Sequence, residues 1–259
     1  MIALSALVLA LALLKLNVVF PTGASDIEQI ILRWIHFAAG TTWIGLLYFF
    51  NLVNVPFLKA LDAPTKGKVV PVLMPKALWW FRWGAVVTVL AGFRYFMILA
   101  QTDAVNAGHP ALMWQWLGTW LVAWLIAFAI MFALLRPTQG FLNKGWVLAV
   151  LIGFIAAATS WLVLSLLAHP GASNRTLSIS VGGGLGTVML LNVWGIIWPN
   201  QKRIIAWTKA NAEQGTPMPA EAAKLARQAF LTSRANFWLS FPMLFFMATS
   251  AHYPFLSGL

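Results

Sequence analysis

An all-α integral membrane protein, a bundle of about seven transmembrane helices in a single domain over 1–259, is what this sequence predicts. Three observations predict it. The 259 residues are 61% hydrophobic and only 9% charged, more apolar material than the interior of a soluble domain this size can hold. Apolar runs recur at the roughly 20 residues a helix needs to cross hydrocarbon. Lysine and arginine collect in alternate connections between those runs, which is how charge sets topology. The formal charge of +11 is thereby explained by loops and not by nucleic acid.

In order, the candidate spans are 2–20, 29–57, 78–101, 112–135, 146–168, 176–199 and 234–256. The first reads as a true span and not as a signal peptide, because no positive region precedes it and Lys15 lies within it. The second is longer than a bilayer requires and is expected to tilt or protrude, ending near Pro56. Lys59, Lys66, Lys68, Lys76 and Arg82 follow it, Arg136 and Lys144 follow the fourth, and Lys202, Arg203, Lys209, Lys224, Arg227 and Arg234 follow the sixth. The intervening loops hold Asp26, Glu28 and Asp103, with Arg175 their only basic residue. The N-terminus is accordingly expected in the cytoplasm and the C-terminus outside (periplasmic, if the source is a Gram-negative bacterium). The connection at about 203–233 reads as a cytoplasmic amphipathic hairpin broken at Gly215-Thr216-Pro217-Met218-Pro219, with a surface helix on anionic headgroups as its simplest form.

Cysteine is absent, which excludes disulfides, thiolate metal sites, iron–sulfur clusters and a covalently attached haem. Any metal must then be held by His, Met, carboxylates or backbone, with four histidines and six acids available. With this topology all four, His36, His109, His169 and His252, lie toward the outer side. His36 sits ~12 Å below Glu28 by helical rise. Arg33 is one turn above His36 and shares its face with Gly40 and Trp43. Arg94 lies about two turns below the outer end of the third span. No acid falls within a predicted span, so both arginines are expected to meet an anionic ligand or, for Arg33 above all, to snorkel to phosphates.

Two further features bear on a pocket. Ser178, Ser180, Gly182, Gly183, Gly184 and Gly186 form a nearly side-chain-free surface, either a close helix contact or a wall for a flat ligand. The 15 tryptophans mostly flank spans as an interfacial belt, Trp79, Trp80, Trp83, Trp114, Trp116, Trp146 and Trp198 among them. Trp43 and Trp161 lie deeper. Two histidines, nearby arginines and a glycine wall fit a b-type haem, ligated by His36 and His252, with His169 as the substitute. Arg33, Arg94, Trp43 and Gly183 would line that cofactor site. A metal held by three histidines, or a transporter, is less well supported, since the spans carry no acid.

The motifs Trp43-Ile44-Gly45-Leu46-Leu47-Tyr48-Phe49-Phe50-Asn51, Gly186-Thr187-Val188-Met189 with Asn192-Val193-Trp194, Ile197-Trp198-Pro199-Asn200-Gln201-Lys202 and His252-Tyr253-Pro254 resemble the membrane domain of bacterial membrane-bound urate oxidases. The likeness runs from about the second span to the C-terminus, and His36, Trp43, Asn51, Asn192, Asn200 and His252 match its pattern. It implies a domain that oxidises urate and, in fused members, passes electrons to a C-terminal cytochrome c domain. Without cysteine this chain departs from that pattern: either a separate cytochrome c takes the electrons, or the scaffold outlived the chemistry. The expected function is electron transfer from a small reductant to an external acceptor. The alternative is a non-catalytic subunit of a larger respiratory or photosynthetic complex.

Overall fold

In the computed structural model, residues 2–13, 21–137, 139–168 and 171–259 are described, and among them there is no strand. Helices α1 (Ile2–Leu13) and α2 (Ala24–Tyr48) come first. The second runs through a π-helical turn (Phe49–Asn54) into α3 (Val55–Ala60). Helices α4 (Ala63–Asn106), α5 (Leu112–Leu135) and α6 (Gly145–Ala168) follow, and then α7 (Asn174–Asn192). A second π-helical turn (Val193–Ile197) joins α7 to α8 (Trp198–Gln214), and α9 (Ala222–Thr249) closes the bundle.

Among the described residues, five helical segments are long and apolar enough to cross a bilayer: Ala24–Ala60, Ala63–Asn106, Leu112–Leu135, Gly145–Ala168 and Asn174–Gln214. The protein is thus a multi-pass membrane protein. The remaining two predicted spans differ. Only α1 of the first is described, the rest, with Lys15, lying outside the described residues. The last, α9, carries Lys224, Arg227 and Arg234 in its first half, which leaves 235–249 as its uncharged stretch. Large apolar side chains such as Trp34, Phe37, Leu90 and Phe154 face outward, as hydrocarbon allows and water does not.

One connection, 58–77, predicted as a loop is largely a helical extension instead. Helix α4 begins at Ala63, not near 78, capped by the Asp62 carboxylate, which accepts a hydrogen bond from the Thr65 N–H at 2.7 Å. That bond holds the Asp62 carboxyl below its ordinary pKa. Its 44 residues span about 66 Å, twice the hydrocarbon thickness. Pro64 is tolerated at the first turn, where no N–H is needed, while Pro71 and Pro75 sit in the extension. Helix α8 continues α7 through the π-helical turn; the helical first arm over 203–213, the break and the helical second arm are as read, and the difference is that the first arm prolongs a spanning helix. Gly215 ends α8 in the left-handed conformation at φ 68°, and an ion pair between Arg203 and Glu221 ties the two arms. The extensions pack together: a Cβ on Gly67 would stand 2.8 Å from the Ala212 Cβ.

Helix α7 is the axis, with Val181, Leu185, Val188 and Met189 buried. Its small residues admit neighbours on two sides. A Cβ on Gly182 would lie 3.2 Å from the Met243 carbonyl oxygen of α9, and one on Gly184 would lie 1.9 Å from the Trp124 indole of α5. Trp124 is 1% exposed and has nowhere to go. Gly184→Ala should therefore cost at least about 2 kcal/mol and lower the Tm in detergent by roughly 4 °C or more. Gly118→Ala, whose Cβ meets nothing within 4 Å, should be neutral or stabilising.

Candidate functional site

His36 faces α4. Its Nδ1 lies 2.8 Å from the Thr88 carbonyl oxygen, and since a carbonyl only accepts, Nδ1 carries the proton. In the neutral ring Nε2 then keeps its lone pair, the state a metal-binding imidazole needs. Gly92 makes the approach possible: a Cβ there would fall 2.8 Å from both Cε1 and Nδ1 of the ring. The sequence pointed to His36, but Thr88 and Gly92 as its cradle went unrecognised.

Arg94 requires a correction. Expected to lack an acid, it donates to both oxygens of Glu28, Nε–Oε1 at 2.7 Å and Nη2–Oε2 at 3.0 Å. Helix α2 starts at Ala24, so Glu28 belongs to the helix and not to the preceding loop. Arg33 is exposed, and no ion pair engages it among the described residues. Trp43 is buried at the α2–α4 contact, its Cβ 3.5 Å from where a Gly84 Cβ would be, and its Nε1 has no partner. Gly183 is half-buried between Met247 and Trp120 at ordinary contact distance. Trp161 is 71% exposed, whereas Trp116, assigned to the belt, is buried.

His252 lies on the exposed turn beyond α9. Asn174 at the start of α7 holds that turn, donating to the carbonyl oxygens of Ser250 (3.1 Å) and Tyr253 (3.2 Å) and accepting from the Leu256 N–H (3.0 Å). The antiparallel pairing of α2 and α9 is fixed by Tyr48 Oη with Ser240 Oγ at 3.1 Å and by Asn51 Nδ2 with Ser233 Oγ at 3.0 Å. His36 is as far from Tyr48 in sequence as His252 is from Ser240, which sets the two at about the same level. Their rings are not in contact. His109 is exposed in its loop, and His169 lies outside the described residues. Among those described, no three metal-ligating side chains cluster, so the three-histidine centre is not assembled there.

A second polar system lies toward the basic end. Asn51 stands in the first π-helical turn and Asn192 directly before the second; wide turns of this kind recur at functional sites. Asn192 Nδ2 donates to Asn236 Oδ1 at 2.8 Å, and Asn236 Nδ2 to the Met189 carbonyl at 2.9 Å. Asn200 Nδ2 donates to Gln228 Oε1 at 2.9 Å. Helix α9 is thus held at Gln228, Ser233, Asn236 and Ser240. Asn54 Oδ1, Asn192 Oδ1, Arg82 Nε and Trp194 Nε1 are buried without a partner, and the Arg82 guanidinium lies 3.8 Å over the Trp198 ring. Asn236 and Ser233 are neutral polar side chains in a mostly apolar stretch, and nothing in the sequence marks them as bonding across helices.

The arrangement defines a helical membrane protein with a buried amide system at its basic end and a cradled histidine at the other. More narrowly, the urate oxidase N-terminal family model matches residues 61–259, and the chain belongs to that family. Asn192, Asn200 and His252 fall within the match; His36, Trp43 and Asn51 precede it. No curated protein and no solved structure matches the chain.

Because Asn236 is fully buried, Asn236→Leu should destabilise the bundle by about 1–3 kcal/mol, through the unpaired Asn192 amide. Glu28→Gln breaks a pair whose side chains are 47% and 40% exposed and should cost under about 1 kcal/mol. Thermal unfolding of both variants in one detergent makes the comparison.

Proposed function

We propose that the protein is a membrane-embedded redox protein of the urate oxidase type. It oxidises a small reductant, urate or an anion of its size, and passes the electrons to an external acceptor such as a separate cytochrome c. The observation that carries this reading is the family match over 61–259. The basic end faces the cytoplasm of a bacterial inner membrane, which puts the end bearing His36 and His252 on the side where an external cytochrome would dock.

The donor chemistry at His36 is what favours a b-type haem. With Nδ1 committed to Thr88, Nε2 is the ligating atom, as in metal-bound histidines whose second nitrogen donates to a carbonyl. His252, at the matching level, is the second ligand, and its turn is held by Asn174. Arg33 serves a propionate; Arg94 is committed to Glu28. A haem in this place would supply single-electron steps between an organic reductant and a one-electron acceptor. The chain's own residues set the ring orientation at His36 and leave room for it at Gly92.

The test is a reduced-minus-oxidised absorption spectrum of the purified protein, with urate-dependent reduction of added cytochrome c. A b-type band, lost in His36→Ala and in His252→Ala but kept in His109→Ala, is the expected result. Thr88→Pro would perturb the helix itself, so the positioning role of the carbonyl is better probed through Gly92→Ala. That variant should shift the band or lower haem occupancy severalfold. A featureless wild-type spectrum without urate-dependent reduction would overturn the reading and leave a subunit without catalytic function.

A further inference from the structure

Between α6 and α9 runs a cavity of about 700 Å³, within the range of sites that bind whole small molecules. One wall is made of the small residues of α6, among them Ala149, Gly153 and Ala157, and the other of Trp238, Pro242 and Phe246 of α9. A Cβ on Gly153 would meet nothing within 4 Å, so this wall is open and not a packed helix contact. The lining is apolar except for Ser160 and, at one end, Arg227 and Arg234. These arginines are two turns apart on one face of α9. Arg234 lies over the rings of Phe230 (5.4 Å) and Phe237 (5.6 Å), and no ion pair engages it among the described residues. Trp146, 65% exposed, stands at the same end, where amphipathic rings mark the headgroup level of a bilayer.

An apolar trough that opens toward hydrocarbon and ends in two guanidiniums is complementary to a molecule with an aliphatic tail and an oxyanion head. Along α6 the lining runs from Gly145 to Ser160, about 22 Å of helix, against the ~15 Å of one leaflet of hydrocarbon. Guanidinium forks match phosphate oxygens in two-point contact, whereas a neutral quinone or a detergent alkyl chain offers Arg234 no oxyanion. We propose that this groove is a binding site for one anionic phospholipid of the surrounding bilayer. Its phosphate lies against Arg227 and Arg234, and one acyl chain lies along Gly153 and Ala157.

Native mass spectrometry of the full chain in mild detergent, with delipidated protein offered phosphatidylglycerol or phosphatidylcholine, tests this. The wild type should retain one phosphatidylglycerol in preference to phosphatidylcholine. Arg227→Gln and Arg234→Gln should each reduce that preference about fivefold, the effect of one basic residue near anionic headgroups, while an acyl-bearing lipid still binds. Gly153→Leu, which fills open space, should abolish retention of both lipids with no loss of Tm. Equal retention of the two lipids, a quinone in place of a phospholipid, a dimer that buries the groove, or wild-type retention in Gly153→Leu would each overturn the proposal.

Discussion

Amides that must find partners inside an apolar bundle fix how this chain packs. Asn51, Asn192, Asn200 and Asn236 are all buried in helices, where an unpaired amide costs one to a few kcal/mol. Three of them reach α9 or its neighbours through hydrogen bonds of 2.8–3.0 Å, and Tyr48 adds a fourth tie at Ser240. Each such bond between membrane helices is modest, about 0.6–2 kcal/mol. Their joint effect is register: a slide of α9 by one turn would break all four ties together. Register in turn sets the level of the His252 turn relative to His36, so the outer end of the bundle depends on contacts near its far end.

The two π-helical turns belong to the same constraint. An extra residue in a turn rotates the helix beyond it relative to the part before. Phe49–Asn54 and Val193–Ile197 sit at matching positions where α2 and α7 meet α9, and each has one of the ladder's asparagines in it or beside it. The regular helix at either side can therefore pack by its own apolar pattern while the amides still point at α9. Beyond the second turn α8 continues outward and meets the extension of α4 at Gly67 and Ala212.

Spans of twenty apolar residues are legible in sequence because their period and length are properties of one helix. The five crossing segments, the break at Gly215 and the exposed tryptophans Trp79, Trp80, Trp114 and Trp146 follow from such local signals. Partnership is not local. Lys66, Lys68, Pro71 and Pro75 make 63–77 read as a basic loop, yet two helical extensions packing together overrode that composition. Arg94 looked unpaired because its acid, Glu28, lies 66 positions away and just outside the predicted span. His36 stood out as an ionisable group in hydrocarbon. Thr88 and Gly92, which define its tautomer and its room, carry no mark that sequence could show. Asn236 reads as one polar residue among many until its neighbour across the helix gap is known.

Helix α9 joins these themes through its two sides. Ser233, Asn236 and Ser240 recur at the spacing of one helical face and bond inward, so that face is specified by hydrogen-bond direction and not by hydrophobicity. Arg227, Arg234 and Trp238 share the other side, beside the groove against α6. A helix buried by apolar packing on both sides would hold its place by shape alone. This one is anchored on one side by directional bonds, which frees the other from the need to pack tightly against a neighbour. The open trough beside α6 is thus a consequence of the amide ladder: α9 can stand off from α6 at Gly153 because Asn192 and Asn51 already hold it from within.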